Sequence, residues 1–186
     1  MNIICIGDSL TFGYGVGQEN SWVSLLNDEK NKFINKGVNG DTSTGILSRI
    51  YSILKSSDSS ICLIMCGSND IIMNKSISSI IDNIQLMTDD CNSLNIKPII
   101  LSPPKIYNDL AIKRWDSSID YEKCNSNLEK YAKKLGLFCK KNNLLFIDLN
   151  STLPFNSLNY TDGLHLSLKG NTLISNLVKI HLKNYL

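Results

Sequence analysis

The sequence predicts a three-layer α/β fold, in which helices cover both faces of a parallel sheet. Two observations carry this prediction. Five short apolar runs recur along the 186 residues, and segments with helical spacing lie between them. The runs are continuous rather than alternating, as strands buried on both faces require. With no linker, internal repeat or long low-complexity tract between the runs, residues 1–186 read as one domain.

The first strand covers 2–6, where Ile3-Ile4-Cys5-Ile6 runs directly into Gly7-Asp8-Ser9-Leu10. The segment 20–29 reads as a short helix with Trp22, Leu25 and Leu26 on one face. A weaker strand follows at 32–38. Residues 43–56 then place Ile46, Ile50, Ile53 and Leu54 at helical intervals. The third strand, 60–66, is nearly all apolar. Residues 76–94 repeat the helical stripe through Ile77, Ile80, Ile81, Ile84 and Met87. The fourth strand, 97–101, is stopped by Pro103-Pro104. Residues 102–118 read as the longest irregular stretch, a pocket wall or lid by position. A helix at 119–141, a strand at 144–148 and a last helix at 167–184 complete the chain. Right-handed crossovers put the carboxyl ends of all strands on one edge, where such sheets bind ligands.

Composition excludes several function classes. Hydrophobic residues make up 42% and charged residues 19%, the balance of a soluble globular protein. A net charge of +2 favours neither nucleic acid nor an anionic membrane as partner. No apolar run approaches the ~18 residues a spanning helix needs, so stable membrane insertion is not expected. Met1 is followed at once by the first strand, with no basic leader, which points to the cytoplasm. The six cysteines form no C-x-x-C pair. They read as buried thiols in a reducing compartment rather than as a zinc site.

The polar residues on the predicted edge carry the chemistry. Ser9 leaves the first strand, and Asp162-Gly163-Leu164-His165 places a carboxylate three positions before an imidazole. A serine hydroxyl needs a base to become a nucleophile, and a carboxylate orients that base. His181 lies among Lys179 and Lys183 and reads as a surface residue. Gly40 follows the second strand and Asn69 the third. A glycine lets a backbone N–H approach a substrate, and an amide donates directly. Each of these residues also has a plain structural role, as a cap or a turn. What favours chemistry is that one serine, one amide, one imidazole and one carboxylate all fall on the same edge. Asp8 and Asp70 read as scaffold. Gly13-Tyr14-Gly15-Val16-Gly17 fails the dinucleotide pattern, since Gln18 stands in the final glycine position. Gly40 and Gly45 lack the lysine of a phosphate loop.

In these blocks, and in their order, the chain resembles the SGNH (GDSL) hydrolase family, in particular its thioesterase/lysophospholipase/arylesterase-like branch, to which Trp22 and Leu25-Leu26-Asn27 are similar. The resemblance implies a flavodoxin-like α/β/α sandwich with strand order 2-1-3-4-5 and neither metal nor organic cofactor. It implies that Ser9, His165 and Asp162 form a catalytic triad. It also implies an oxyanion hole made by the N–H groups of Ser9 and Gly40 and the amide of Asn69. Periplasmic members of that branch carry a leader, which this chain does not show. The expected activity is hydrolysis of a small-molecule carboxylic ester with a small or medium acyl group, through an acyl-enzyme. Carbohydrate O-deacetylation and lysophospholipase or thioesterase action are the sibling readings. A binding module that retains the fold is the non-enzymatic one. Ile106, Tyr107 and Trp115 either line a pocket or pack the long loop onto the body.

Overall fold

The computed structural model describes residues 1–183. Five strands form one parallel sheet: β1 (Asn2–Gly7), β2 (Lys32–Gly37), β3 (Ile61–Met65), β4 (Lys97–Ser102) and β5 (Leu145–Asp148), in the order β2-β1-β3-β4-β5. The helices are α1 (Ser9–Phe12), α2 (Ser43–Lys55), α3 (Ser68–Ile72), α4 (Ile77–Ser93), α5 (Asn108–Arg114), α6 (Tyr121–Lys141), α7 (Leu149–Thr152) and α8 (Leu168–Leu182). The fold class is the one the sequence pattern predicts, and the strand order is the one the family resemblance implies. The last helix was expected to reach 184, and that residue lies outside the described ones.

Successive strand residues point to opposite faces, and each face is apolar. On one face Ile4, Ile6, Cys62, Ile64 and Ile100 pack against α2, α4 and α6 through Ile46, Ile84 and Leu135. On the other, Ile3, Cys5, Leu63 and Leu101 meet Trp22, Leu26 and, from α8, Ile174 and Val178. The long helices start at side-chain caps: Thr42, Ser76, Asp120 and Ser167 each accept a backbone N–H of the first turn. All six cysteines are free and buried in these layers.

Two expectations are corrected. Residues 20–29 do not form a helix; two 3₁₀ turns, Gln18–Asn20 and Ser24–Leu26, stand there. The hydroxyls of Ser21 and Ser24 both donate to the Gln18 carbonyl, at 2.7 and 2.6 Å, and so compete with helical bonding. Trp22 is still buried, with its backbone N–H on Asn171 Oδ1 and its indole N–H on the Leu10 carbonyl. The stretch 102–118 is not wholly irregular, because α5 lies inside it. Only Ala111 of that helix is buried, so the segment shows no apolar stripe.

The carboxyl ends of the strands share one edge. The chain leaving β1 and β3 carries Ser9 at the start of α1 and Asn69 in the first turn of α3, the loop after β2 carries Gly40, and the segment after β5 and α7 carries Asp162 and His165.

Candidate active site

Asp8 caps α1, its Oδ1 accepting the Leu10 N–H at 2.9 Å, and Ser9 is the first helical residue. The Ser9 Oγ lies 3.0 Å from His165 Nε2, and His165 Nδ1 lies 2.7 Å from Asp162 Oδ2. Serine, imidazole and carboxylate therefore form one hydrogen-bonded line. The turn that closes it is built locally. Asp162 Oδ1 accepts the N–H groups of His165 and Leu164, at 2.7 and 3.0 Å. Gly163 adopts φ +96°, and a Cβ there would stand 2.3 Å from the Ala111 nitrogen. Burial pushes the Asp162 carboxyl up. The bonds from the His165 ring and backbone, the ring's charge and the Leu164 N–H together outweigh it, and Asp162 is held below the ordinary carboxylate range.

Ser9 and His165 are nearly enclosed, 7% and 5% exposed, and both line a cavity of about 270 Å³ on the carboxyl edge of the sheet. Gly40 and Asn69 line the same cavity. A Cβ on Gly40 would meet nothing within 4 Å, so this backbone faces open space. Asn69 donates one amide N–H to the Asp41 carbonyl at 2.8 Å, which fixes the plane of the amide and leaves its second N–H.

Sequence reading missed the frame behind these donors. Arg49 binds Asp41 Oδ2 through Nε at 2.8 Å, the Lys36 carbonyl through Nη1 at 2.8 Å and the Gly7 carbonyl through Nη2 at 3.0 Å. It thus ties the ends of β1 and β2 to the loop that holds Gly40. Asp70 accepts the Ser43 N–H and hydroxyl, at 2.8 and 2.7 Å, and anchors the start of α2 to α3. Asp8 is only half paired. It is 1% exposed, and its Oδ2 accepts no hydrogen bond among the described residues. Burial pushes its carboxyl up to about 7; the Leu10 N–H and the charge of His165 pull it down, and Asp70 and Asp41 push it further up.

Of the loop residues singled out, Ile106 and Trp115 line the cavity, and Tyr107 instead stacks on Phe155 with ring centroids 5.0 Å apart. Leu10, Tyr14, Ile72, Met73, Pro104 and Leu164 complete the apolar lining, which holds no Asp, Glu, Lys or Arg. No sequence periodicity marks them. Among the described residues no three His, Cys, Asp or Glu side chains are grouped as metal ligands would be, and no helix is long and apolar enough to cross a membrane. A hydroxyl in reach of an imidazole, itself bound to a carboxylate, is an arrangement that can lose its proton to that imidazole.

Comparison with known proteins gives the same direction. The family model described as GDSL-like Lipase/Acylhydrolase matches residues 5–173. Thioesterase 1/protease 1/lysophospholipase L1 of Escherichia coli is 28% identical over 102 residues, which is 53% of this chain and 49% of that protein. Esterase TesA of Pseudomonas aeruginosa is 26% identical over 105 residues, 53% of this chain and 52% of that protein. The chain thus matches about half the length of these curated relatives. The solved structure of an aryl esterase from M. smegmatis superposes over 100% of this chain and 99% of its own with a TM-score of 0.84, at 17% identity, and shares the fold.

Proposed function

We propose that this chain, which belongs to the GDSL-like lipase/acylhydrolase family, is a serine hydrolase of carboxylic esters with small or medium acyl groups. The observation that carries the reading is the line from Ser9 Oγ through His165 to Asp162, at 3.0 and 2.7 Å. In the proposed cycle His165 Nε2 takes the Ser9 proton as Oγ bonds to the ester carbonyl carbon. The carbonyl electrons move to oxygen, and that oxyanion receives the N–H groups of Ser9 and Gly40 and the second amide N–H of Asn69. One such donor contributes roughly 3 kcal/mol to the transition state. His165 then gives its proton to the departing alcohol oxygen, which leaves an acyl-enzyme. Water, deprotonated by the same imidazole, releases the acid and restores Ser9.

The cavity supports the acyl preference. At about 270 Å³ it lies just under the ~300–1,000 Å³ typical of small-ligand sites, and its uncharged, mainly apolar lining suits a neutral acyl group. The reading takes residues 1–186 as one catalytic domain. It also takes the enzyme to be cytoplasmic, in keeping with six buried free thiols. Hydrolysis of p-nitrophenyl esters from acetyl to dodecanoyl, wild type beside Ser9→Ala, tests it. We expect a short-to-medium chain optimum and loss of activity in the variant. Full activity in Ser9→Ala would refute the mechanism. A long-chain optimum would move the assignment to lysophospholipase or thioesterase, the activities named for the Escherichia coli relative.

A further inference from the structure

We infer that Asn39 is a modification site: its side chain closes on the Gly40 nitrogen, loses ammonia, and disables an oxyanion donor as the protein ages. The inference rests on the hydrolase reading above, which sets the Gly40 N–H on the oxyanion.

Asn39-Gly40 is the single Asn-Gly pair in the chain. In such a pair the amide carbon and the next backbone nitrogen can close a five-membered ring, and glycine has no side chain to shield that nitrogen. The fold leaves this pair open. Both residues are exposed, in a turn after β2 that is closed by the Asp41 N–H on the Val38 carbonyl at 3.2 Å. Gly40 adopts φ +75° there, and a Cβ on it would meet nothing within 4 Å. Neither the Asn39 amide nor the Gly40 N–H has a hydrogen-bond partner among the described residues. Both residues also line the cavity that holds Ser9 and His165.

Asp162-Gly163 has the same spacing of side-chain carbon and backbone nitrogen, and the fold protects it. Its carboxylate accepts the N–H groups of Leu164 and His165, at 3.0 and 2.7 Å, and meets the His165 ring at 2.7 Å. Gly163 is buried, and a Cβ on it would stand 2.3 Å from the Ala111 nitrogen. Three bonds and a packed backbone keep that carboxyl from closing on its neighbour. Nothing comparable holds Asn39.

The step needs only hydroxide and water. Hydroxide takes the Gly40 amide proton, the nitrogen bonds to Asn39 Cγ, and the Cγ–Nδ2 bond breaks. The departing nitrogen takes a proton from water and leaves as ammonia. The resulting imide has no N–H at position 40. Water then adds to one of the two imide carbonyls, the C–N bond to that carbonyl breaks, and the nitrogen regains its proton. Opening at Cγ gives aspartate. Its carboxylate then stands among cavity residues that include no Asp, Glu, Lys or Arg, and it opposes the negative oxyanion. Opening at the main-chain carbonyl gives isoaspartate, which adds Cβ to the backbone and displaces the Gly40 N–H. All three products weaken the donor set, in which one donor is worth about 10²–10³ in kcat.

The test holds the full chain, as wild type and as Asn39→Gln, at pH 8.5 and 37 °C for several days. Peptide mapping reads a gain of ~1 Da at Asn39, and an isoaspartate-specific methyltransferase counts the isomer. Hydrolysis of p-nitrophenyl acetate is scored against each protein's own starting rate. We expect wild-type activity to fall in step with the intact fraction of Asn39, and to be about tenfold lower once nine-tenths is converted. Asn39→Gln should keep its rate, because its side chain would have to close a six-membered ring, which forms far more slowly. An Asn39 that stays intact would overturn the inference. So would a converted Asn39 with unchanged activity, or equal losses in both proteins. The wild-type time course decides alone if Asn39→Gln does not fold. Phosphonate labelling of Ser9 in fresh protein separates the two levels. If fresh protein takes the label and hydrolyses the ester, any of those results removes the modification site alone. If it does neither, the hydrolase reading falls and the inference with it.

Discussion

Replacing Asp8 by asparagine should stabilise the protein at pH 8. The wild-type carboxyl is enclosed beside Ser9, with one oxygen on the Leu10 N–H and the other unpaired. Its folded pKa of about 7 stands against 3.8 for the free side chain. That difference of about three units, at ~1.4 kcal/mol each, makes holding the ion in the folded state cost about 4 kcal/mol. The folded protein binds this proton more tightly than the unfolded chain does. Stability from this group is therefore fully present below pH ~4, declines as pH rises, and is lost above pH ~7. Asparagine caps a helix as well as aspartate does and carries no charge. Its own unpaired N–H groups cost about 1–3 kcal/mol, so the net gain at pH 8 is about 1–3 kcal/mol. At 2–4 °C per kcal/mol for a chain of this size, Tm should rise by roughly 4–8 °C for a gain near the middle of that range. Thermal unfolding at pH 4.5 and pH 8 checks this: Asp8→Asn should be equal to or less stable than wild type at the lower pH, where little of the ion penalty acts, and more stable at the higher. A variant less stable than wild type at pH 8, or an equal difference at both values, would refute the reasoning. Kinetics should move the other way at pH 8, with a lower kcat, since the carboxylate's charge favours the imidazolium that forms during turnover.

Other outcomes follow from the same geometry. Asp162→Asn removes the charge that orients His165 and should lower kcat by about 10³–10⁴ with a much smaller change in KM, measured on p-nitrophenyl acetate. Because its carboxyl is held below the ordinary range, the stability it supplies should persist from neutral pH down to about pH 4 and be lost as pH falls further, which acid titration followed by circular dichroism reads. Arg49→Lys loses the fork that joins Asp41 to two strand ends. Urea unfolding should show about 2 kcal/mol less stability, and kcat should fall about tenfold as the loop bearing Gly40 loosens. Asn69→Ala should cost about 10²–10³ in kcat, read in the same p-nitrophenyl assay.

Much of the fold is legible in the sequence because a parallel sheet needs continuous apolar runs, and the Ile-rich stretches at 2–6, 60–66 and 97–101 have no other simple reading. The long helices show through stripes such as Ile46, Ile50 and Leu54, whose burial repeats each turn. Elements of four to seven residues do not complete enough turns to show a period, which hides α1, α3 and α7. The helix α5 is hidden by having a single buried residue. At 20–29 the local hydroxyl bonds of Ser21 and Ser24 override a pattern that reads as helical. In the site, Ser9, Gly40, Asn69, Asp162 and His165 stand in short blocks of distinctive residue types. Tyr14, Trp115 and Arg49 do not, because each acts on partners far away in the chain. The sequence also leaves the Asn69 amide free, whereas the fold commits half of it to the Asp41 carbonyl.

In the proposed mechanism the hydroxyl 3.0 Å from His165 Nε2 is the nucleophile. Intact-mass and peptide mapping after treatment with a serine-reactive alkyl phosphonate tests it most directly. One adduct per chain is expected, located on Ser9, absent in Ser9→Ala and strongly slowed in His165→Ala. A wild-type protein that takes no adduct, or takes it at another residue, would contradict it.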